Sequence, residues 1–166
     1  MSRLWVRNLI GIAVVAAAIV TLCVVELYPQ WSSYRRTVEP ERVIGRDGSS
    51  TISGQTWRLG SVHRTGTLPE SRYGPSIPKG AVLTVVTIER SGSPVPGRCV
   101  GVLTDGRRRW QDQSASGASF PVSRGATEFC SKRGPLQFNF LLPSDATPTA
   151  LDITDTTDAI QLRIVL

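Results

Sequence analysis

Few residues in this chain have side chains suited to chemistry, and their spacing limits what they can do. His63 is the only histidine. General acid–base or triad catalysis needs an imidazole with a nucleophile and an orienting carboxylate in reach, and His63 stands beside Arg64 at the end of a strand-like run. No Gly-x-Ser-x-Gly element sits between a strand and a helix. One histidine and one cysteine pair cannot supply the usual zinc set. Asp152, Asp155 and Asp158 offer oxygens to calcium, but their segment lacks the glycine and terminal glutamate of an EF-hand loop. Asp and Thr at such a place form turns through side-chain-to-backbone bonds. The expectation is a protein that is not an enzyme and needs no metal or cofactor.

Cys99 and Cys130 are spaced far from the Cys-x-x-Cys of thiol oxidoreductases, so a structural disulfide is expected. It closes a loop of roughly 30 residues and stabilises by about 3 kcal/mol through restriction of the unfolded chain. Arg107-Arg108-Arg109-Trp110 follows the hairpin signal Asp105-Gly106 and is the most pointed surface feature. Alternation along a strand keeps the three arginines from sharing one face. With Trp110 they form a candidate contact for anionic lipid, envelope glycan or an acidic partner.

The element at the N-terminus is an anchor. Leu9 to Val25 carries no charge in 17 positions, a helix of roughly 25 Å. Leu27 and Tyr28 extend it toward the ~30 Å of a hydrocarbon core. Trp5 on one side and Tyr28, Trp31 and Tyr34 on the other suit headgroup depth. A transmembrane helix is expected over 9–28. Arg3 and Arg7 before an apolar run also suit a signal peptide. Its cleavage site is missing, because Ala16-Ala17-Ala18 lies inside the core and Leu22 precedes Cys23 where a lipid-attachment cysteine needs a small residue. Cys23 reads as an apolar filler. Ala13 and Ala17 permit close approach of another helix.

Arginine counting leaves orientation open, since Arg3 and Arg7 on one side oppose Arg35 and Arg36 on the other. The cysteine pair outside the span favours an oxidising compartment. Residues 1–8 are therefore read as cytoplasmic and the rest beyond the span as extracytoplasmic, at the plasma membrane. Of 19 basic residues only Lys79 and Lys132 are lysine, the coding bias of a GC-rich genome. Residues 55–142 hold 12 basic and 5 acidic side chains, whereas 143–166 hold 1 and 4. A basic body outside the membrane meets the lipid bilayer or envelope phosphates, not nucleic acid.

Residues 29–53 read as a polar juxtamembrane stalk that could end in a first edge strand, and 54–166 as a β domain. Strands are expected at Gln55 to His63, Ala81 to Ile88, Cys99 to Leu103 and Arg108 to Gln111, with Pro-rich loops at Thr65 to Gly80 and Ser91 to Gly97. Ala81 to Ile88 is apolar on both faces, as a central strand would be. Leu136, Phe138, Phe140 and Leu142 alternate with Gln137 and Asn139, and Ile160, Leu162, Ile164 and Leu166 with Gln161 and Arg163. Such alternation sets one face on a core and the other in water. About seven short strands with turns between them predict an antiparallel β-sandwich.

Pro78-Lys79-Gly80 before Val82-Leu83-Thr84-Val85-Val86, and the late Phe138-Asn139-Phe140-Leu141-Leu142-Pro143, resemble the immunoglobulin-like extracytoplasmic domains of actinobacterial membrane proteins and lipoproteins. The resemblance covers roughly Gln55 to Leu166 and implies an immunoglobulin-like sandwich in the cell envelope, without chemistry. The Trp-between-cysteines core of antibody domains is not reproduced. The function expected is a non-enzymatic envelope protein, an accessory subunit or adaptor docking on another membrane or cell-wall component, or else a binding module for anionic lipid or envelope glycan.

Overall fold

The uncharged run is helical throughout. α1 covers Ser2–Leu22, a π-helical turn covers Cys23–Leu27, and α2 covers Tyr28–Val38. Pro29, in the first turn of α2, has no N–H to give back to the preceding turn. The ladder widens just before it, where Tyr28 N–H bonds to Cys23 O, five residues back. Pro40 ends the helix by forcing Glu39 into extended backbone (φ −103°, ψ 123°). The stretch Trp5–Val38 is long and apolar enough to cross a membrane, as a span or a signal sequence would be.

The computed structural model describes residues 2–68, 76–94, 97, 99–116 and 120–166. Pro69 and Pro75 of the expected loop, residues 95 and 96 of the next, and 117–119 lie outside the described residues. The chain divides into two units, Met1–Glu39 and Pro40–Leu166. The boundary thus falls earlier than the stalk reading of 29–53 placed it. The first part of that segment is α2, and the last part forms β1 (Arg42–Ile44) and β2 (Ser49–Ile52). Each of these short strands turns one large apolar residue inward, Ile44 or Ile52, too few for a visible pattern.

The second unit has nine strands among the described residues. After β1 and β2 come β3 (Gln55–Thr65), β4 (Ala81–Gly92), β5 (Val100–Thr104), β6 (Arg109–Gln111), β7 (Leu136–Pro143), β8 (Ala150–Thr154) and β9 (Ile160–Val165). One sheet runs β1-β9-β8-β5-β6 and the other β2-β3-β4-β7. Only β1 and β9 pair in parallel; the other pairs are antiparallel. The order β9-β8-β5-β6 matches the G-F-C-C′ sheet of immunoglobulin variable domains, and β4 beside β7 matches strands B and E. The chain is an apolar helix followed by a β-sandwich.

The core forms where the inner faces meet. Val86, Ile88, Leu136, Phe138 and Phe140 from one sheet pack against Leu103, Leu151, Ile153, Leu162 and Ile164 from the other. The row of β3 that starts with Trp57 and Leu59 skips a step to Val62, which is exposed but lies opposite the buried Val86. A bulge between Leu59 and Ser61 absorbs the extra residue. Gly60 occupies it because a Cβ there would lie 2.9 Å from Thr87 O.

Gly101 on β5 is required by the same packing. A Cβ on it would sit 2.7 Å from the Phe138 ring, which is 1 % exposed. Gly101→Ala must therefore displace a core aromatic. Urea unfolding should show a loss of about 1–3 kcal/mol, with little loss if Phe138→Leu is added to make room.

Candidate docking surface

The hairpin singled out for its arginines is knitted into the domain. Asp105 Oδ1 accepts backbone N–H groups of Arg107 (2.9 Å) and Arg108 (2.6 Å), and Oδ2 accepts Arg108 Nε (2.8 Å). The backbone N–H of Arg108, then that of Arg107, lower the Asp105 pKa to about 2. Arg108 lies over the Trp110 ring at 5.2 Å, and Trp110 is half-buried against the core. Arg109 reaches Asp152 at 3.7 Å. Arg107 extends into solvent. The four residues thus diverge: Arg108 and Trp110 meet, while Arg109 turns to another strand.

Asp152 is not the loop residue that a calcium reading needs. It lies within β8, fully buried, and accepts both Nε (2.6 Å) and Nη2 (2.8 Å) of Arg163 on β9. That bond lifts the Arg163 guanidinium above its ordinary pKa. Asp155 closes the β8–β9 turn, accepting from Thr157, Ala159 and Gln161. Among the described residues no three His, Cys, Asp or Glu side chains gather as a metal set. His63 is exposed on β3 opposite Val85.

The expectation that Gln137 and Asn139 meet water is corrected. Both are 1 % exposed, because Asp112, Pro121, Thr127 and Glu128, between β6 and β7, bond to them. β7 is an edge strand, and its outward N–H groups need acceptors. Thr127 O takes the N–H of Gln137 (2.8 Å). Asp112 Oδ1 takes the N–H of Asn139 (2.6 Å). Around them Gln137 Nε2 donates to Asn139 Oδ1 (3.0 Å) and to Pro121 O (3.0 Å). Asn139 Nδ2 donates to Glu128 (3.3 Å), and Ser114 Oγ donates to Asp112 Oδ2. Alternating polar residues suit a polar cover as well as water, so the period alone does not separate the two.

The far end of this segment is braced. Cys99 and Cys130 form the expected disulfide, with Cα atoms 5.9 Å apart, joining the start of β5 to the approach to β7. Arg90, near the end of β4, donates to Cys130 O (3.0 Å), Lys132 O (2.9 Å) and Gly134 O (3.0 Å). Its other face rests on the Trp57 ring at 5.4 Å. Burial lowers the Arg90 pKa, yet a guanidinium stays charged. Between these fixed points Phe129 stands 57 % exposed, with the Lys132 ammonium 4.9 Å from its ring centroid. Arg124 and Arg133 are exposed nearby in the chain. This patch was missed by sequence reasoning. Its signal was an aromatic residue beside a disulfide cysteine and a Lys-Arg pair, Phe129-Cys130-Ser131-Lys132-Arg133.

Next to the disulfide, a pocket of about 270 Å³ opens between the sheets, lined chiefly by Ile52, Trp57, Cys99, Cys130, Ile153 and Leu162. Trp57 Nε1 is buried without a hydrogen-bond partner among the described residues. Because that nitrogen has almost no accessible surface, it is the carbon face of the indole that meets the pocket.

No family model and no curated protein matches the chain. Among solved structures it is similar to an uncharacterized beta-sandwich protein from Clostridium difficile 630, with a TM-score of 0.40 and 8 % identity over 75 % of this chain and 93 % of that one.

Burial raises the pKa of Asp112 against the bonds from Ser114 and Asn139, and raises that of Glu128, which the Asp112 charge pushes further. Both folded values lie above the unfolded ones. Their stabilising contribution is therefore complete below the ordinary carboxylate range and is lost as pH rises through the raised values. Asp105, held low, works in the opposite sense and loses its contribution as pH falls toward about 2. In urea unfolding from pH 4 to 8, Asp112→Asn should gain stability relative to the native chain as pH rises. A constant difference across that range would show that Asp112 does not titrate there.

Proposed function

We propose that the chain is a non-enzymatic, membrane-anchored envelope protein, an accessory subunit or adaptor that docks its β-sandwich on another membrane or cell-wall component. One observation carries this reading. The disulfide and the Arg90 fork hold a loop rigidly at its base while its tip shows a large aromatic ring and a cation to solvent. A fixed, exposed aromatic anchor loses little freedom on contact, which favours recognition. The groups best suited to chemistry are engaged otherwise: Asp112 seals a strand edge, Asp152 is ion-paired, and Asp155 closes a turn. The Arg107–Trp110 hairpin is the poorer docking point, since Arg108 and Arg109 are already held by Asp105 and Asp152.

On this reading residues 9–28 span the plasma membrane with residues 1–8 in the cytoplasm, and the disulfide supports an extracytoplasmic β-sandwich. The preference for Arg over Lys supports an actinobacterial source.

Two measurements check the proposal. In intact cells, Cys99 and Cys130 should resist alkylation until a reductant is added; ready labelling of both would put the domain in the cytoplasm. A photoreactive phenylalanine analogue at position 129 should form adducts in the native membrane, whereas the same analogue at the exposed turn position 156 should not. Absence of any adduct at 129 would remove the docking surface.

A further inference from the structure

We propose that the surface met by the Phe129 loop is an anionic lipid headgroup layer, into which the ring inserts while Arg124, Lys132 and Arg133 bind phosphate. This rests on the docking reading above and names its partner.

The loop has the two components an interfacial contact needs, a ring that sits at headgroup depth and cations beside it. Phe129 is 57 % exposed and Val122 38 % exposed. Lys132 lies over the Phe129 ring. Arg124 and Arg133 flank a close backbone approach: a Cβ built on Gly134 would lie 3.0 Å from Gly125 O. The two segments carrying these arginines therefore run side by side. Thr127 N–H to Pro135 O (2.9 Å) continues that contact.

Charge is sorted across the loop. Glu128, the acidic residue of this segment, is half-buried and accepts from Asn139 on its inner side. Arg124, Lys132 and Arg133 are exposed, and among the described residues none of them has a carboxylate partner. The acid faces the domain and the bases face out. Anionic phosphates complement that arrangement.

A bilayer is favoured over an acidic protein because the same chain carries a helix able to cross one. A tethered ligand is present at high effective concentration, so a small patch with modest intrinsic affinity suffices. The brace matters for the same reason. Arg90 and the disulfide fix the carbonyls of Cys130, Lys132 and Gly134, so the tip need not be ordered when it meets the surface.

The test uses the full chain, disulfide intact, reconstituted through its helix in nanodiscs of phosphatidylcholine alone or of phosphatidylcholine mixed with phosphatidylglycerol. Amide hydrogen exchange of residues 123–134 is compared with that of β8 and β9. Anionic discs should slow exchange in 123–134 by about threefold or more. The slowing should vanish at 0.5 M salt (a Debye length of roughly 4 Å) and in the Lys132→Gln, Arg133→Gln variant, with β8 and β9 unchanged throughout. Equal exchange in both discs overturns the proposal, as does slowing that survives the double variant. Equal exchange together with a protein adduct at position 129 leaves the docking reading standing and makes the partner a protein. Equal exchange with no adduct removes both.

Discussion

The second unit is organised around the unpaired edge of β7. A strand carrying Phe138 and Phe140 into the core cannot leave the opposite edge of its backbone dry and unbonded. The chain answers with a carboxylate and a carbonyl, Asp112 and Thr127, set against the N–H groups of Asn139 and Gln137. Asp112 stands just past β6, and its own N–H bonds to Gly101 O in β5 (2.9 Å). One residue therefore fastens the last strand of one sheet to the edge of the other. Its bonds to Asn139 and Ser114 offset only part of the desolvation of that carboxylate, whose pKa stays raised.

The described residues between β6 and β7 are placed with respect to that edge. The segment has to leave the five-stranded sheet, cross the outer face of β7 and return in register to enter it. It buries Phe120, and fixed points add to the holding: the disulfide at Cys130, the Arg90 fork and the Thr127–Leu136 bridge. Phe129 is exposed because it lies between these points on the side away from the sheet. The exposed Phe129 patch is in this sense a by-product of closing an edge strand.

Much of the architecture was legible from period and punctuation. The charge-free run Leu9 to Val25, the alternation of Leu136 to Leu142 and of Ile160 to Leu166, and the doubly apolar Ala81 to Ile88 each report on an element whose environment is uniform along its length. β4 is indeed central in its sheet. Features that depend on one residue meeting another far away left no such trace. Asp112 in a Ser- and Ala-rich stretch and Arg90 after a hydrophobic run look like ordinary surface residues until the fold sets Asn139 and Cys130 beside them. β1 was hidden by brevity, whereas β2 falls where the end of the stalk offered an edge strand. Three consecutive arginines drew notice at the hairpin, although Arg108 and Arg109 each reach a carboxylate, whereas the quieter Phe129-Cys130-Ser131-Lys132-Arg133 keeps its charge outside.

The point where the helix unit joins the β-sandwich has a mechanical consequence. The chain enters the sandwich through β1, three residues at the margin of a sheet, held mainly by pairing with β9 and by the buried Ile44. Tension on the helix reaches this strand before any other. If it peels away, residues 40–48 become slack, roughly 30 Å of extended chain, while β2 to β9 keep their pairings and the disulfide keeps its loop. The domain thus has a built-in extensible leash: a short outer strand yields first, and the folded body rides out the load.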